Sequence, residues 1–175
     1  PIVHTLGGPG VTSLRMGRGR PIFPWLKNRD VIVFEQRGTR FSQPALECPE
    51  VDEANINSAK QRLNAKDAKT REMKAAIVCY DRLNKKGINL SAYNSRESAA
   101  DIEDLRRILK IEKLNLYGVS YSARLMLTVL RYFPNSVRSI VLESTLPPQV
   151  NYDEVGIDNV VGSLNRLFEN CKNDA

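Results

Sequence analysis

Apolar and polar positions along this chain follow two rhythms, and the changes of rhythm mark its elements. Pro1 to Leu6 is a short β-prone run cut off by Gly7-Gly8-Pro9-Gly10, a strong breaker. A polar stretch bearing glycine and arginine follows to about Arg20, and Pro21 to Lys27 reads as a helix start, with proline in the first turn. Asp30 to Glu35 (DVIVFE) is a continuous apolar run of strand length, the pattern of a strand buried on both faces of a parallel sheet. It stops at Gln36-Arg37-Gly38-Thr39. From about Val51 to Lys86 the chain is rich in Ala, Lys, Glu and Arg at helical spacing, with Met73, Ile77, Tyr80 and Leu83 near one face. A second helix starts at an N-cap of Ser95, or alternatively Ser98, and carries the stripe Ile102, Leu105, Ile108 and Leu109. The spacing then predicts a strand over Lys113–Val119 and a helix from Tyr121 to about Tyr132, closed by Phe133-Pro134. A strand follows over Val137–Leu142. Ser144 to Pro148 ends the strand pattern, and Tyr152 to Asn170 reads as a last helix, weakly broken by Gly156 and Gly162.

Strand, helix, strand, helix, strand is the order of a doubly wound α/β fold with a mostly parallel sheet. Nothing repeats internally, and no low-complexity linker divides the chain.

Composition narrows the class without choosing a function. At 175 residues, 42% hydrophobic and 26% charged, the chain has the composition of a globular domain or a large piece of one. No apolar run approaches the roughly 18 residues that would span a bilayer. The abrupt Pro1-Ile2-Val3 start, without Met, leads us to expect a missing front end. The net charge of +6 would suit an anionic partner. Yet Lys and Arg are scattered, with local enrichment only at 15–20 and at 60–74, where Asp67 and Glu72 interleave. No recognition motif accompanies them, so no nucleic-acid partner is expected. Cys48, Cys79 and Cys171 lack metal-ligand spacing, and no metal or other cofactor is expected. One disulfide plus an odd thiol in a secreted chain, and three free thiols in a cytoplasmic one, both fit the count.

Chemistry concentrates at Gly118-Val119-Ser120-Tyr121-Ser122. A serine between a strand and a helix, with glycine two residues before it, has the nucleophile-elbow arrangement usually written G-x-S-x-G. Small residues flank such a serine because strand and helix backbones approach closely there. Ser122 in the last position is expected to crowd the turn. Acyl transfer also needs donors aimed at the oxyanion, and backbone N–H groups serve because they are fixed in place. The glycine loop 7–10, directly after a strand, can supply one, and Tyr121, next after the serine, the other.

Four blocks in order, TLGGPG, VIVFEQRGTRFSQP, YNSRESAADIEDLRRIL and LNLYGVSYSARLMLTVLRYFPNSVRSIVLESTLPP, resemble the α/β-hydrolase fold. More narrowly, they resemble the proline iminopeptidase and tripeptidyl aminopeptidase group of serine peptidases. The FEQRGTRFSQP block is the most discriminating, with Glu35 where relatives often carry Asp. The resemblance implies Ser120 as nucleophile and the N–H groups of Gly8 (or Gly7) and Tyr121 as oxyanion hole. It makes Gln36-Arg37-Gly38 a supporting loop in which Arg37 anchors neighbouring loops. It also implies a disulfide between Cys48 and Cys79, as in secreted members, and places Cys171 in the lid. Leu6 stands where many iminopeptidases have His, which shifts the subfamily toward the secreted branch. The implied layout is the N-terminal part of a hydrolase core over 1–148, with a helical insertion at about 50–90, and the truncated start of a lid over 149–175.

Half of the mechanism is missing from this span. In this fold the triad runs Ser, then Asp or Glu, then His, and no histidine follows Ser120. His4, the one histidine, lies on the first strand in the wrong order and is expected to be packed or hydrogen-bonded in the sheet. Asp153, Glu154 and Asp158, in the lid helix, are not assigned as the acid. The expectation is an exported aminopeptidase-type serine hydrolase acting on peptides or small acyl substrates, completed by its C-terminal part and inactive without it. An esterase or lipase, and a non-catalytic relative that binds ligands, are the alternatives, with a cytoplasmic location as the alternative to export.

Overall fold

A computed structural model describes residues 1–17 and 27–174. The helix start expected at 21–27 lies, but for its last residue, outside the described residues. Four strands, β1 (Ile2–Thr5), β2 (Val31–Val33), β3 (Leu114–Val119) and β4 (Val137–Glu143), form one sheet in the order β2-β1-β3-β4. All three pairings are parallel, with Val3 beside Ile32 and Leu116, and Leu116 beside Ile140. Parallel neighbours require crossovers. Helix α3 (Ser95–Ile108) lies on the path to β3, and α4 (Tyr121–Tyr132) carries the chain from β3 to β4.

Strand periodicity decides what these helices cover. Successive side chains in a strand point to opposite faces, so Leu114 and Leu116 share one face of β3 with Gly118. That face, with Val3 of β1, packs on Ala99 and Ile102 of α3 and on Leu125, Met126 and Val129 of α4 to make the core. Asn115, Tyr117 and Val119 point the other way and are half-buried. The spacing of Leu125, Met126 and Val129 is one helical stripe, and all three are within 1% of full burial.

Several expectations shift. Among the described residues β2 pairs only with β1, and its three residues are half-buried rather than buried on both faces as the apolar run suggests. The helical region near 50–90 is two helices, α1 (Pro49–Lys60) and α2 (Ala65–Lys85), packed as a hairpin. Asn64 breaks it and caps α2, its side chain accepting from Asp67 N–H at 2.9 Å. The inward face of α2 carries Cys79 and Leu83, because Cys79 is bonded to Cys48 at the start of α1. Met73, Ile77 and Tyr80, expected on the buried stripe, are therefore more than half exposed. Neither Ser95 nor Ser98 caps α3. Asn94 does, holding extended backbone while its side chain accepts from Glu97 N–H at 3.0 Å. The α3 stripe also ends early: Ile102 is buried and Leu105 half-buried, but Ile108 and Leu109 face out. Helix α5 (Tyr152–Asn173) runs unbroken through Gly156 and Gly162. No helix of the described residues is long and apolar enough to cross a membrane.

Candidate active site

Ser120 sits between the last residue of β3 and the first of α4, at φ 59° and ψ −126°. Positive φ crowds the Cβ of an L-residue, and such strain survives only where the surroundings enforce it. Three contacts enforce it here. Ser120 N–H donates to Glu143 O of β4 at 3.0 Å, Ala123 N–H donates to Ser120 O at 3.0 Å, and β3 meets α4 at Gly118. A Cβ on Gly118 would stand 2.6 Å from Ser122 O and 2.7 Å from Ala123 Cα, so no side chain fits. The result is a serine exposed at the C-terminal edge of a parallel sheet, ahead of a helix N-terminus.

Ser122 does not crowd this turn. Its side chain is fully buried, with Oγ accepting from Val119 N–H at 2.7 Å and donating to Val119 O at 2.9 Å. The hydroxyl satisfies two backbone groups that the sharp turn takes out of the sheet ladder.

The glycine loop abuts the elbow. A Cβ on Gly7 would lie 3.0 Å from both Ser120 Cβ and Val119 O, and 3.2 Å from Tyr121 N. Gly8 and Gly10 hold φ of +111° and +97°, the region that favours glycine. Tyr121 N–H belongs to the first turn of α4, where no intrahelical acceptor exists. The structure thus brings Gly7, with Gly8 next to it in the loop, against Ser120 and Tyr121 from a distant part of the sequence.

The loop after β2 is held by two charged groups. Glu35 Oε2 accepts from Ser13 N–H at 2.7 Å and Leu14 N–H at 3.0 Å, and Oε1 accepts from the Thr39 hydroxyl at 2.8 Å. Partial burial pushes the Glu35 carboxyl up, but the hydrogen bonds from Leu14, Thr39 and Ser13 outweigh it and hold the group below its ordinary range. Arg37 donates through Nε to Asp101 Oδ2 and through Nη1 to Ala92 O, both at 2.7 Å, and through Nη2 to Asp101 Oδ1. Its hydrogen bond to Asp101 raises its pKa against the opposing effect of burial. Gly38, at φ +78°, has no room for a Cβ, which would meet Tyr93 Cδ1 at 2.9 Å. Between these loops an open cleft of about 480 Å³ is walled by Pro9, Gly10, Leu46, Tyr93, Ser95 and Tyr121.

His4 is committed elsewhere. Its Nδ1 donates to Tyr117 O at 3.0 Å, and its ring stacks on that of Tyr117 with centroids 4.8 Å apart. Cys48 and Cys79 form a disulfide, while Cys171 is a free, exposed thiol on α5. Sequence patterns alone missed Ser13, Ser95 and Asp101. Ser13 and Ser95 carry no periodic signal, whereas Glu97 and Asp101 at i and i+4 on α3 made a legible acidic pair for Arg37.

A sequence profile of the alpha/beta hydrolase fold matches residues 2–170. The chain belongs to the α/β-hydrolase family. Within it, the chain is 26% identical over 193 residues to Serine protease Hip1 of Mycobacterium tuberculosis, covering 99% of this chain and 35% of that protein. It is 27% identical over 160 residues to Tripeptidyl aminopeptidase of Streptomyces lividans, covering 84% of this chain and 28% of that one. Putative hydrolase YuaR of Escherichia coli is 26% identical over 150 residues, covering 83% and 28%. The chain spans about a third of the length of these α/β-hydrolase relatives. Two of them are peptidases by name, in line with the serine-peptidase resemblance of the motifs.

Proposed function

We propose that these residues form the nucleophile half of a serine peptidase of the aminopeptidase type. Ser120 Oγ attacks the scissile carbonyl, its proton passes to a base outside this span, and the leaving amine takes that proton as the acyl-enzyme forms. Water then hydrolyses the ester and restores the serine. The N–H groups of Tyr121 and Gly8, with Gly7 as the alternative, receive the carbonyl oxygen as it gains charge. The observation that carries this reading is the packing of Gly7 against a strained, exposed Ser120.

The triad Asp and His belong, in this reading, to later sequence, because the one histidine here is bound to Tyr117. The 175 residues alone are therefore inactive. Residues 1–148 form part of the catalytic core, with α1 and α2 as its helical insertion, and α5 begins the lid. The exposed apolar residues of α5, such as Ile157 and Phe168, support a lid that packs on further protein. Export is supported by the disulfide, a bond that persists in oxidising compartments. The names of the peptidase relatives support peptides as substrates.

Labelling of the full-length protein by a fluorophosphonate tests the reading. Ser120→Ala is expected to abolish it. Labelling that persists would move the nucleophile elsewhere, and turnover of aminoacyl substrates by the 175 residues alone would overturn the missing-base reading.

A further inference from the structure

The glycine loop must keep its N–H groups aimed at one point, yet it begins where the sheet can no longer hold it. β1 ends at Thr5, opposite Gly118, and β3 turns into the elbow two residues later. Side chains take over from the ladder at that point. Leu6, the residue before Gly7, has both its backbone polar groups bound: N–H donates to Ser13 Oγ at 2.9 Å, and the carbonyl accepts from Gln36 Nε2 at 2.7 Å. Gln36 Nε2 also reaches Thr5 Oγ1 at 3.2 Å, which in turn lies 2.9 Å from Ser13 Oγ. Thr5, Ser13 and Gln36 are each buried to 4% exposure or less. At the other end of the loop, the N–H groups of Ser13 and Leu14 both donate to Glu35. Two consecutive residues, Glu35 and Gln36, therefore clasp the exit and the entrance of the loop that passes Ser120.

We infer that Gln36 and Ser13 are positioning residues for the oxyanion hole, and that Glu35 closes the same clasp from the far side. A peptide unit is planar, so the carbonyl of Leu6 and the N–H of Gly7 move as one plate. Through the Leu6 carbonyl, Gln36 fixes that plate, and with it the direction of Gly7 N–H and the position of Gly7 Cα, from which the next peptide, carrying Gly8 N–H, sets out. Ser13 prevents the plate from swinging about Leu6 by holding the preceding N–H. Donors preorganised in this way lose no reorganisation energy when charge develops on the substrate oxygen. A misplacement of even 1 Å costs rate rather than affinity. The inference rests on the proposal that this loop serves Ser120, and it assigns a task to side chains that touch no substrate.

The test uses the full-length protein and an ethoxy fluorophosphonate probe, with the maximal phosphonylation rate and the probe's half-saturating concentration measured separately. Gln36→Met and Ser13→Ala are each expected to lower the maximal rate at least about tenfold, a fraction of the loss on deleting a donor outright, with half-saturation changed by less than about twofold. Glu103→Gln, remote from this loop, is the control for instability: it lowers the melting temperature and leaves the rate intact. If Gln36→Met does not fold, Ser13→Ala carries the test. Wild-type rates in the folded clasp variants, or an equal rate loss in Glu103→Gln, would overturn the inference while leaving the nucleophile assignment standing. Labelling that survives Ser120→Ala removes the assignment itself.

Discussion

Ser95 Oγ lies 2.8 Å from the phenol oxygen of Tyr121, joining the first residue of α3 to the first residue of α4. The two helix starts are thereby locked at the point where the proposed oxyanion donor resides. Asn94 makes this possible, because it takes the capping role and leaves the Ser95 hydroxyl uncommitted to its own helix.

The hydroxyl contact and the backbone donor on Tyr121 are separable. Tyr121→Phe removes the phenol oxygen but keeps the N–H, so it should cost about 0.5–1.5 kcal/mol of stability and only a few-fold in fluorophosphonate labelling. Ser95→Ala should match it, and the double variant should add little beyond either single change. Denaturant titrations of the four proteins check this. Additive losses would mean that the two hydroxyls do not act as a pair.

The two small residues that flank Ser120 have opposite tolerance. Gly118→Ala drives a methyl into the backbone of Ser122 and Ala123, and no rotamer change relieves a clash with backbone. We expect about 3 kcal/mol or more of destabilisation and loss of labelling. Ser122→Ala keeps the volume but strips Val119 N–H and O of their partner. About 1–2 kcal/mol should be lost, with labelling slowed rather than abolished. Thermal melts and labelling rates of the two variants give the comparison.

How far the sequence led depended on which force decided each element. Strands β3 and β4 and helix α4 were legible to within a residue, because each is a run whose period and breakers agree, and Leu125, Met126 and Val129 form a stripe that packing then used. The place of Ser120 between β3 and α4 was legible for the same reason, since it sits where the two periods meet. The buried face of α2 was not. Met73 and Ile77 are about as apolar as Leu83, and the choice between faces was made by the bond from Cys79 to Cys48, a contact 31 residues away in sequence. Gln36, Ser13 and Thr5 were illegible as a group, since hydrogen bonds between three loops leave no periodic mark on any of them. Only the family resemblance pointed at Gln36, and it did not say what its amide holds.

The disulfide should stabilise the helical hairpin locally. Cross-linking across a separation of 31 residues removes about 3–4 kcal/mol of loop entropy from the unfolded chain in the chain-entropy account. Arg82 adds to the same junction by donating to Glu50 and to Glu47 O. On mild reduction, α1 and α2 should become susceptible to proteolysis before the sheet does, and fluorophosphonate labelling should persist through the first cuts. Simultaneous loss of hairpin and labelling would show that the hairpin is part of one cooperative unit with the elbow.

Acid stability should depend on Glu103, which is 4% exposed and bonded to two arginines. The hydrogen bond from Arg106, aided by Ser136 and Arg107 against the upward effect of burial, lowers its pKa from 4.5 to about 2. A carboxyl depressed in the folded state binds its proton more readily when unfolded, so its contribution is fully present above about pH 4.5 and disappears as the pH falls toward 2. A shift from 4.5 to about 2 corresponds to a contribution on the order of 3 kcal/mol. Glu103→Gln resembles the protonated side chain, so it should melt well below the wild type at pH 7 and close to it near pH 2. Other carboxylates, Glu35 among them, also lose stability in acid, which is why the gap between the two proteins is the quantity to follow. A gap that stays constant from pH 7 to pH 2 would show that the charge of Glu103 contributes nothing and that its packing alone matters.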